Sequence, residues 1–290
     1  MGDLYAVLTA ICWSSAVILF DISSKKFKAI EINAIKNLIG IIGFISTIIV
    51  LSIPVPVFSF NEKIILFVSG ILGILIADVL FLESLRKIGS GLSAVISTVY
   101  TPAIFLLAFI LFNETINIQT YFGGALVVFG IIICVYHIPK NLNKRDLLVG
   151  VIFGTLAHIL TAFSILIVKP IMENNSIVYI ALFRFSTGLL FTILILLIKD
   201  GSKHFILKIK DGLKDKFIVM GSLLGTYLSV ILWLAGYKYT LAGRAAIYNQ
   251  LSTIFIILLA RIFLKETLNS KKILGLLIAV IGAVVVTIEK

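Results

Sequence analysis

The sequence predicts an all-α integral membrane protein, with ten transmembrane helices arranged as two inverted five-helix repeats. Three observations predict this class: an apolar composition, ten apolar segments of membrane-spanning length, and an internal repeat. Hydrophobic residues make up 60% of the chain and charged residues only 13%, and the mean hydropathy is +1.15. A soluble domain is closer to half apolar and a quarter charged. Most of this chain is therefore expected to have lipid as its solvent.

The apolar residues fall into ten segments, each near the length of about 20 residues that a helix needs to cross the hydrocarbon core. Lipid offers the backbone no hydrogen bonds, so segments this long are predicted to be helices and not strands. Most connections are short and contain the Gly, Pro, Asn or Lys that turns favour. The predicted helices span residues 4–21, 31–53, 64–87, 92–112, 119–137, 147–168, 176–198, 217–238, 243–264 and 272–288.

The connection after the fifth predicted helix divides the chain into two halves. It carries Pro139, asparagines and several charges, which end any helix there. We therefore expect a first five-helix unit over residues 1–137, a linker over 138–145 and a second unit over 146–290.

A second long connection, residues 199–216, separates the seventh and eighth predicted helices. Phe205, Ile206, Ile209 and Leu213 stand there at helical spacing among lysines. The pattern fits a short helix in the lipid headgroup layer. It fits a plain basic loop equally well.

The net charge of +11 is interpreted as a topology signal and as a means of contacting anionic headgroups. Nucleic acid is not an expected partner, because the cations lie in short connections between apolar runs. Odd-numbered connections hold 17 lysines and arginines, against 5 in the even-numbered connections and the termini. Since cytoplasmic loops carry the excess of these residues, both termini are predicted to lie outside.

The second half of the sequence repeats the first. Residues 112–130 align without a gap on 264–282 at an offset of 152, and residues 81–96 align on 233–248 at the same offset. The second predicted helix aligns on the seventh at an offset of 148. Matching residues include Glu114 with Glu266, Thr115 with Thr267, Asn117 with Asn269, Gly123 with Gly275, Gly130 with Gly282, Gly40 with Gly188, and Lys36 with Arg184.

The odd number of helices in each unit determines how the two units sit in the membrane. Five crossings bring the chain out on the opposite side, so the second copy has to be inserted upside down. One sequence in two opposite orientations offers two conformations of similar energy, open to opposite sides of the membrane. This is a physical route to alternating access.

Two motifs occur in each half: a helix that ends in Glu and leads through a polar link into a Gly-x6-Gly helix, and a second helix that contains a basic residue. They are AFILFNE at 108–114 with Gly123 and Gly130, ARIFLKE at 260–266 with Gly275 and Gly282, AIKNLIG at 34–40, and ALFRFSTG at 181–188. With these motifs the sequence resembles the EamA family of the drug/metabolite transporter superfamily, over nearly its whole length. The resemblance implies two five-helix units and a carrier of metabolites or drugs, with export favoured over import. Lys36 stands where the family usually has arginine.

Ionisable residues inside the predicted spans are the sharpest indication of a site, because each costs several kcal/mol unless it is paired or hydrated. Arg184 is predicted to face a central cavity, with a structural ion pair as the alternative. Lys36 is its counterpart, and snorkelling to the surface is its alternative. Asp78 could pair with either cation or take up a coupling proton. His158 is either a proton relay or a hydrogen-bonded core histidine.

Polar and aromatic residues near the middle of the fourth and ninth predicted helices complete the candidate site. They would line a midplane site and orient a solute, or else hold helices together through hydrogen bonds. Trp13 would add an apolar wall, unless it is an interface anchor. The candidate residues of the two helices are Tyr100, Thr101, Tyr248, Asn249 and Gln250.

The sequence thus predicts a secondary transporter of the cell membrane for a small organic solute, such as an amino acid or a related metabolite. Its expected partners are that solute, membrane lipids and a coupling proton or ion. A polyspecific drug exporter of the same fold is the main alternative. A channel, a scaffold or a membrane-embedded enzyme is disfavoured, since no convergent catalytic residues are visible. We expect no cofactor and no metal site.

Overall fold

The structure is a computed structural model that describes residues 2–112, 118–136, 143–239, 242–265 and 270–287. Every regular element in those ranges is helical, which confirms the predicted all-α class. The polar motif residues 114–117 and 266–269 lie outside the described residues, as do residues 138–142 of the predicted linker.

The described ranges contain thirteen α-helices, two π-helical segments and one 3₁₀ turn. In the first half these are α1 Gly2–Ser24, α2 Ala29–Val50, α3 Phe60–Ser69, the π segment Gly70–Ala77, α4 Asp78–Ile96, the 3₁₀ turn Ser97–Val99, α5 Tyr100–Phe112 and α6 Ile118–Tyr136. In the second half they are α7 Lys144–Leu166, α8 Lys169–Asn174, α9 Ile177–Lys214, α10 Lys216–Gly221, the π segment Ser222–Leu228, α11 Ser229–Tyr239, α12 Ala242–Phe263 and α13 Ser270–Thr287.

Six helical stretches in the described part of the chain are long and apolar enough to cross a membrane. One of them runs over Phe60–Leu111. As one straight helix its 52 residues would reach about 78 Å, more than twice the hydrocarbon thickness of ~30 Å. Gly89 interrupts the stretch with a φ of 75°, a conformation that favours a residue without Cβ. The stretch is therefore two helices, over residues 60–88 and 90–112.

Gly201 interrupts α9 in the same way, with a φ of 77°. Residues 177–200 form an apolar span, and residues 202–214 form a separate helix. Of the two alternatives for this connection, the structure has the helix and not the plain loop. Ile206 and Leu207 are exposed on it, as an interfacial helix requires.

The bundle has an apolar core, but it also buries polar and charged residues, and many large apolar residues face outward, unlike in a soluble protein. Arg184 is 1% exposed and Asn33 and Asn37 are fully buried, whereas Phe122 and Ile132 on α6 are 62% and 55% exposed. Apolar surface of this kind needs lipid around it. The chain is therefore an integral membrane protein.

Capping residues in the connections set where several helices begin. Ser59 and Glu62 form a reciprocal capping box at α3, with N–O distances of 3.3 and 2.7 Å. Asp215 caps α10 through the N–H of Ile218, at 3.1 Å. Partial burial raises the pKa of Asp215, but this hydrogen bond and the ammonium of Lys26 outweigh it and leave the pKa below its usual value.

Equivalent helices of the two halves pack against each other: α2 against α9, and α6 against α13. A Cβ added at Gly130 would lie 2.5 Å from the carbonyl oxygen of Gly275, and one at Gly282 would lie 2.6 Å from that of Gly123. The two contacts are equivalent, because Gly282 is the repeat partner of Gly130 and Gly275 is the repeat partner of Gly123, each 152 positions further along the chain. Because Gly130 is late in α6 and Gly275 is early in α13, these two helices run antiparallel.

The two π-helical segments also correspond. Gly70–Ala77 shifted by 152 residues falls on residues 222–229, and the second segment is Ser222–Leu228. A π turn inside an α-helix often marks a functional site. Both segments contribute residues to the cavity described next.

Candidate functional site

A cavity of about 160 Å³ lies between the two halves of the chain, and both halves line it. Most of its lining residues come in equivalent pairs, related by an offset of 148 in the first two helices of each half and of 152 beyond them. The pairs are Thr9 with Ala157, Ala10 with His158, Trp13 with Thr161, Lys36 with Arg184, Gly73 with Gly225, Ile74 with Thr226, Asp78 with Val230, Phe81 with Trp233, Ser97 with Asn249, and Tyr100 with Ser252.

Equivalent positions of the two halves therefore line the cavity together. The chemistry of the pairs is not the same throughout. Lys36 and Arg184 put a cation on both sides, while Asp78 is matched by the apolar Val230. The cavity is thus symmetric in its cations and asymmetric in its carboxylate.

Arg184 is the cation of the second half, and α9 holds it in the cavity wall with 1% of its surface exposed. Its Nη2 donates a hydrogen bond to Oγ of Ser164 at 3.2 Å. Within the described part of the chain, its buried Nε and Nη1 find no hydrogen-bond partner. A buried guanidinium with open donors can bind a further acceptor, and a carboxylate fits its geometry best.

Lys36 is the cation of the first half, and it is already paired. Its Nζ lies 2.6 Å from Oδ2 of Asp78 and donates to Oδ1 of Asn37 at 2.9 Å. The ring of Phe185 lies 5.6 Å from the same ammonium, close enough for a cation–π contact. The first half therefore presents a neutral ion pair to the cavity where the second half presents an open cation.

Aromatic side chains form the apolar part of the wall. Trp13 packs on Phe81 with ring centroids 5.5 Å apart, and Phe81 meets the His158 ring nearly edge-on at 5.8 Å. Nε2 of His158 is buried and accepts or donates no hydrogen bond among the described residues. His158 thus stands in the cavity wall, where its relay role stays a prediction.

Hydrogen bonds between polar side chains join the middle of the fourth predicted helix to the ninth. Nε2 of Gln250 donates to Oγ1 of Thr101 at 2.6 Å, and Oγ1 of Thr253 donates to Oε1 of Gln250 at 3.3 Å. Nearby, the hydroxyls of Tyr100 and Tyr237 lie 2.9 Å apart. These bonds satisfy buried polar groups; the Gln250–Thr101 bond fixes α12 against α5, and the tyrosine pair fixes α5 against α11.

Eight of the ten residues predicted for the site line the cavity: Trp13, Lys36, Asp78, Tyr100, His158, Arg184, Asn249 and Gln250. Thr101 and Tyr248 are not among its lining residues. Thr101 is fully buried behind the wall, where it holds Gln250, and Tyr248 is half-buried.

Some lining residues were not predicted, including Phe81, Phe185, Ser164 and Ser252. The internal repeat carried a signal for part of them. Ser252 is the equivalent of Tyr100, so extending that candidate to its repeat partner would have found it. Phe81 is the equivalent of Trp233, which also lines the cavity but was not among the ten predicted residues. Phe185 and Ser164 are equivalent to Asn37 and Ala16, which do not line the cavity, and the repeat gives no such signal for them.

Two comparisons concern known proteins and structures. A Bacillus subtilis (strain 168) protein described as the uncharacterized transporter YetK is 23% identical over 236 residues, which cover 81% of this chain and 71% of that protein. A protein known from a crystal structure superposes with a TM-score of 0.69 at 13% identity, over 98% of this chain and 95% of its own. At that identity the second likeness supports the fold alone.

Comparison with models of protein families identifies the family of the chain. The model of the EamA-like transporter family matches residues 1–136 and again residues 148–288. This confirms the resemblance drawn from the motifs, and it points to a membrane transporter and not to an enzyme. Since the two matches together span nearly the whole sequence, the chain belongs to the EamA-like transporter family.

Proposed function

We propose that this chain is a secondary transporter of the cell membrane that carries a small organic solute with a carboxylate or a similar anionic group. An amino acid or a related metabolite meets this description, and export is favoured over import. The solute binds in the cavity between two five-helix units, residues 1–137 and 146–290, and each unit alternately opens the cavity to one side.

Arg184 is the observation that carries the proposal. Its Nε and Nη1 are buried in the cavity wall without a partner among the described residues. Such donors cost free energy while they remain empty, so an anionic solute that fills them is bound by charge-assisted hydrogen bonds. The volume of about 160 Å³ is close to that of the cavity of roughly 150 Å³ that holds benzene, which favours a small solute.

Alternating access is supported by the relation between the halves. Equivalent helices α6 and α13 run antiparallel, which is the direction that an inverted repeat of ten spans requires. The equivalent contacts of Gly130 and Gly282 are close to interchangeable. Two conformations that exchange the roles of the halves would therefore have similar energies. The prediction that both termini lie outside remains untested.

The Lys36–Asp78 pair favours an anionic metabolite over the cationic drugs of a polyspecific exporter. A drug exporter would offer an open carboxylate, whereas Asp78 lies 2.6 Å from the ammonium of Lys36. The same pair is a candidate for coupling, because a proton on Asp78 would remove its charge and release Lys36. His158, in the same wall, is the second candidate for a coupling proton.

Counterflow in proteoliposomes tests the proposal. Vesicles loaded in turn with unlabelled amino acids and with hydroxy and keto acids are given the corresponding ¹⁴C-labelled compound, and saturable accumulation identifies a solute. The Arg184→Gln variant is expected to slow this exchange about 30-fold, because it removes charged hydrogen bonds of about 2 kcal/mol.

The matched control is Arg261→Gln, which removes an exposed arginine of α12 and should leave counterflow unchanged. Exchange by Arg184→Gln at the wild-type rate would contradict the site assignment. Accumulation that never saturates with any solute would instead indicate a channel.

A further inference from the structure

Three residues that carry metal-binding groups meet outside the cavity, where α2 begins and α9 is interrupted at Gly201. They are Glu31, Asp200 and His204, and one ligand atom of each lies within 4.8 Å of the other two. An imidazole nitrogen with two carboxylate oxygens is a donor set that suits zinc and related transition metals.

One carboxylate oxygen of Glu31 lacks a hydrogen-bond donor among the described residues, so a cation could satisfy it. The Glu31 side chain is buried, with 3% of the residue exposed, and its Oε2 accepts a hydrogen bond from the backbone N–H of Lys28 at 2.8 Å. Its Oε1 accepts none from any residue that the structure describes and faces Nε2 of His204 at 3.5 Å. A buried carboxylate oxygen without a donor is costly, and a metal ion between it and the imidazole would satisfy it.

Asp200 and the ring of His204 open the site to solvent, although Nε2 of His204 is itself buried. The side chain of His204 is 42% exposed and that of Asp200 is 23% exposed. The ammonium of Lys28 lies 3.4 Å from Oδ1 of Asp200, but the Lys28 side chain is 63% exposed and can swing away. An ion arriving from water therefore has a path to the site, with one mobile cation to displace.

We propose that Glu31, Asp200 and His204 form a binding site for a divalent transition metal of the zinc type. Oε1 of Glu31, the carboxylate of Asp200 and Nε2 of His204 would be the protein ligands, and water would complete the coordination. The proposal departs from the expectation of no metal site. The cause lies in the spacing, since Glu31 is 169 positions from Asp200 and forms no motif with it.

A metal held there would fasten the start of α2 to the end of the apolar span of α9. Those two helices carry Lys36 and Arg184 into the cavity, so the ion would restrain the movement of both cations. The site would act as a regulatory clamp on the bundle, and its existence does not depend on the identity of the solute.

Titration calorimetry with zinc chloride on tag-free protein in detergent tests the site. We expect one saturable zinc ion per chain in the wild type, and binding at least ~10-fold weaker in both His204→Gln and Asp200→Asn. The substituted side chains are partly exposed, so both variants should fold, which their thermal unfolding will show. Lys203→Gln, a change of an exposed neighbour, is the matched control and should bind as wild type does.

The Lys28→Ala variant is expected to change the zinc affinity in the opposite direction. It removes the ammonium that competes for Asp200 and should strengthen zinc binding several-fold, which a general loss of structure cannot do. The proposal is overturned if wild-type protein binds no zinc saturably, or if His204→Gln and Asp200→Asn bind it as tightly as wild type. Magnesium at millimolar concentration should not displace the zinc, because Mg²⁺ prefers an all-oxygen octahedral shell.

Discussion

At the scale of single residues, the three charges in the cavity wall are accommodated in two different ways. Lys36 and Asp78 neutralise each other at 2.6 Å, and Asn37 supports the ammonium. Arg184 has one hydrogen bond, to Ser164, and its remaining donors point to an acceptor that the described part of the chain does not supply. The first arrangement serves stability, and the second is suited to ligand binding.

The Lys36–Asp78 pair can be tested by removing one partner and then both. Lys36→Met leaves the carboxylate of Asp78 without its cation in an apolar wall. We expect this to lower the free energy of unfolding by about 3 kcal/mol, since breaking a buried pair exposes the full desolvation cost of the remaining charge. The double variant Lys36→Met/Asp78→Asn should recover most of the loss, as measured by thermal unfolding in detergent.

Asp78→Asn alone is the third member of this cycle. The ammonium of Lys36 would keep its bond to Asn37, so this change should cost less than Lys36→Met. If the double variant is as unstable as the two single losses added together, the residues act independently and the ion pair makes no contribution.

The charged part of the site was predictable from sequence, because a charge inside an apolar span is too costly to be incidental. Arg184, Lys36 and Asp78 all line the cavity for this reason. For the uncharged lining residues, the sequence predicted the position along the helix but not the face of the helix. Thr101 and Tyr248 lie on the same helices as true lining residues, but a helix that is apolar on every side gives no sign of which face turns inward.

At the scale of elements, the close approach of α6 and α13 depends on glycine. A methyl group at Gly130 would lie 2.5 Å from the carbonyl oxygen of Gly275, so Gly130→Ala must push the two helices apart. We expect a loss of about 1–3 kcal/mol in the free energy of unfolding, the usual cost of overpacking. Thermal unfolding in detergent measures it.

Gly124→Ala is the matched control, because it lies on the same helix and makes the same chemical change. Its nearest neighbour would be Cβ of Pro102 at 3.8 Å, an ordinary contact. It should therefore unfold close to the wild-type temperature. Helix propensity favours Ala over Gly at both positions, so equal destabilisation by the two substitutions would show that the contact with α13 is not what makes Gly130 necessary.

Helix positions were largely predictable, and helix irregularities were not. The predicted spans 64–87 and 92–112 correspond to helices over 60–88 and 90–112, separated at Gly89. The π-helical segments had no signal, because a π turn changes hydrogen bonding without requiring particular residue types. The close contacts at Gly130 and Gly282 follow the general rule that small residues let helices in lipid approach closely.

At the scale of the whole molecule, the cavity follows from the duplication. Equivalent residues such as Lys36 and Arg184, or Phe81 and Trp233, both line it. When two copies of a unit pack together, equivalent residues of both can reach the cavity between them, as these pairs do. The copies nevertheless differ, and the clearest difference in the cavity is Asp78 against Val230. The repeat was visible in the sequence, but this consequence of it depended on the packing of the halves.

Val230→Asp would remove that difference. If the halves are equivalent, the new carboxylate at position 230 should lie beside Arg184 as Asp78 lies beside Lys36, and the two should form an ion pair. We expect the free energy of unfolding of Val230→Asp to lie within about 1 kcal/mol of that of the neutral control Val230→Asn, whereas an unpaired buried carboxylate would cost several kcal/mol. Counterflow of an anionic solute should fall in Val230→Asp and persist in Val230→Asn, because only the carboxylate fills the donors of Arg184. Thermal unfolding in an Arg184→Gln background decides the cause: if Val230→Asp is equally stable with and without Arg184, no pair forms and the equivalence of the halves does not extend to the cavity.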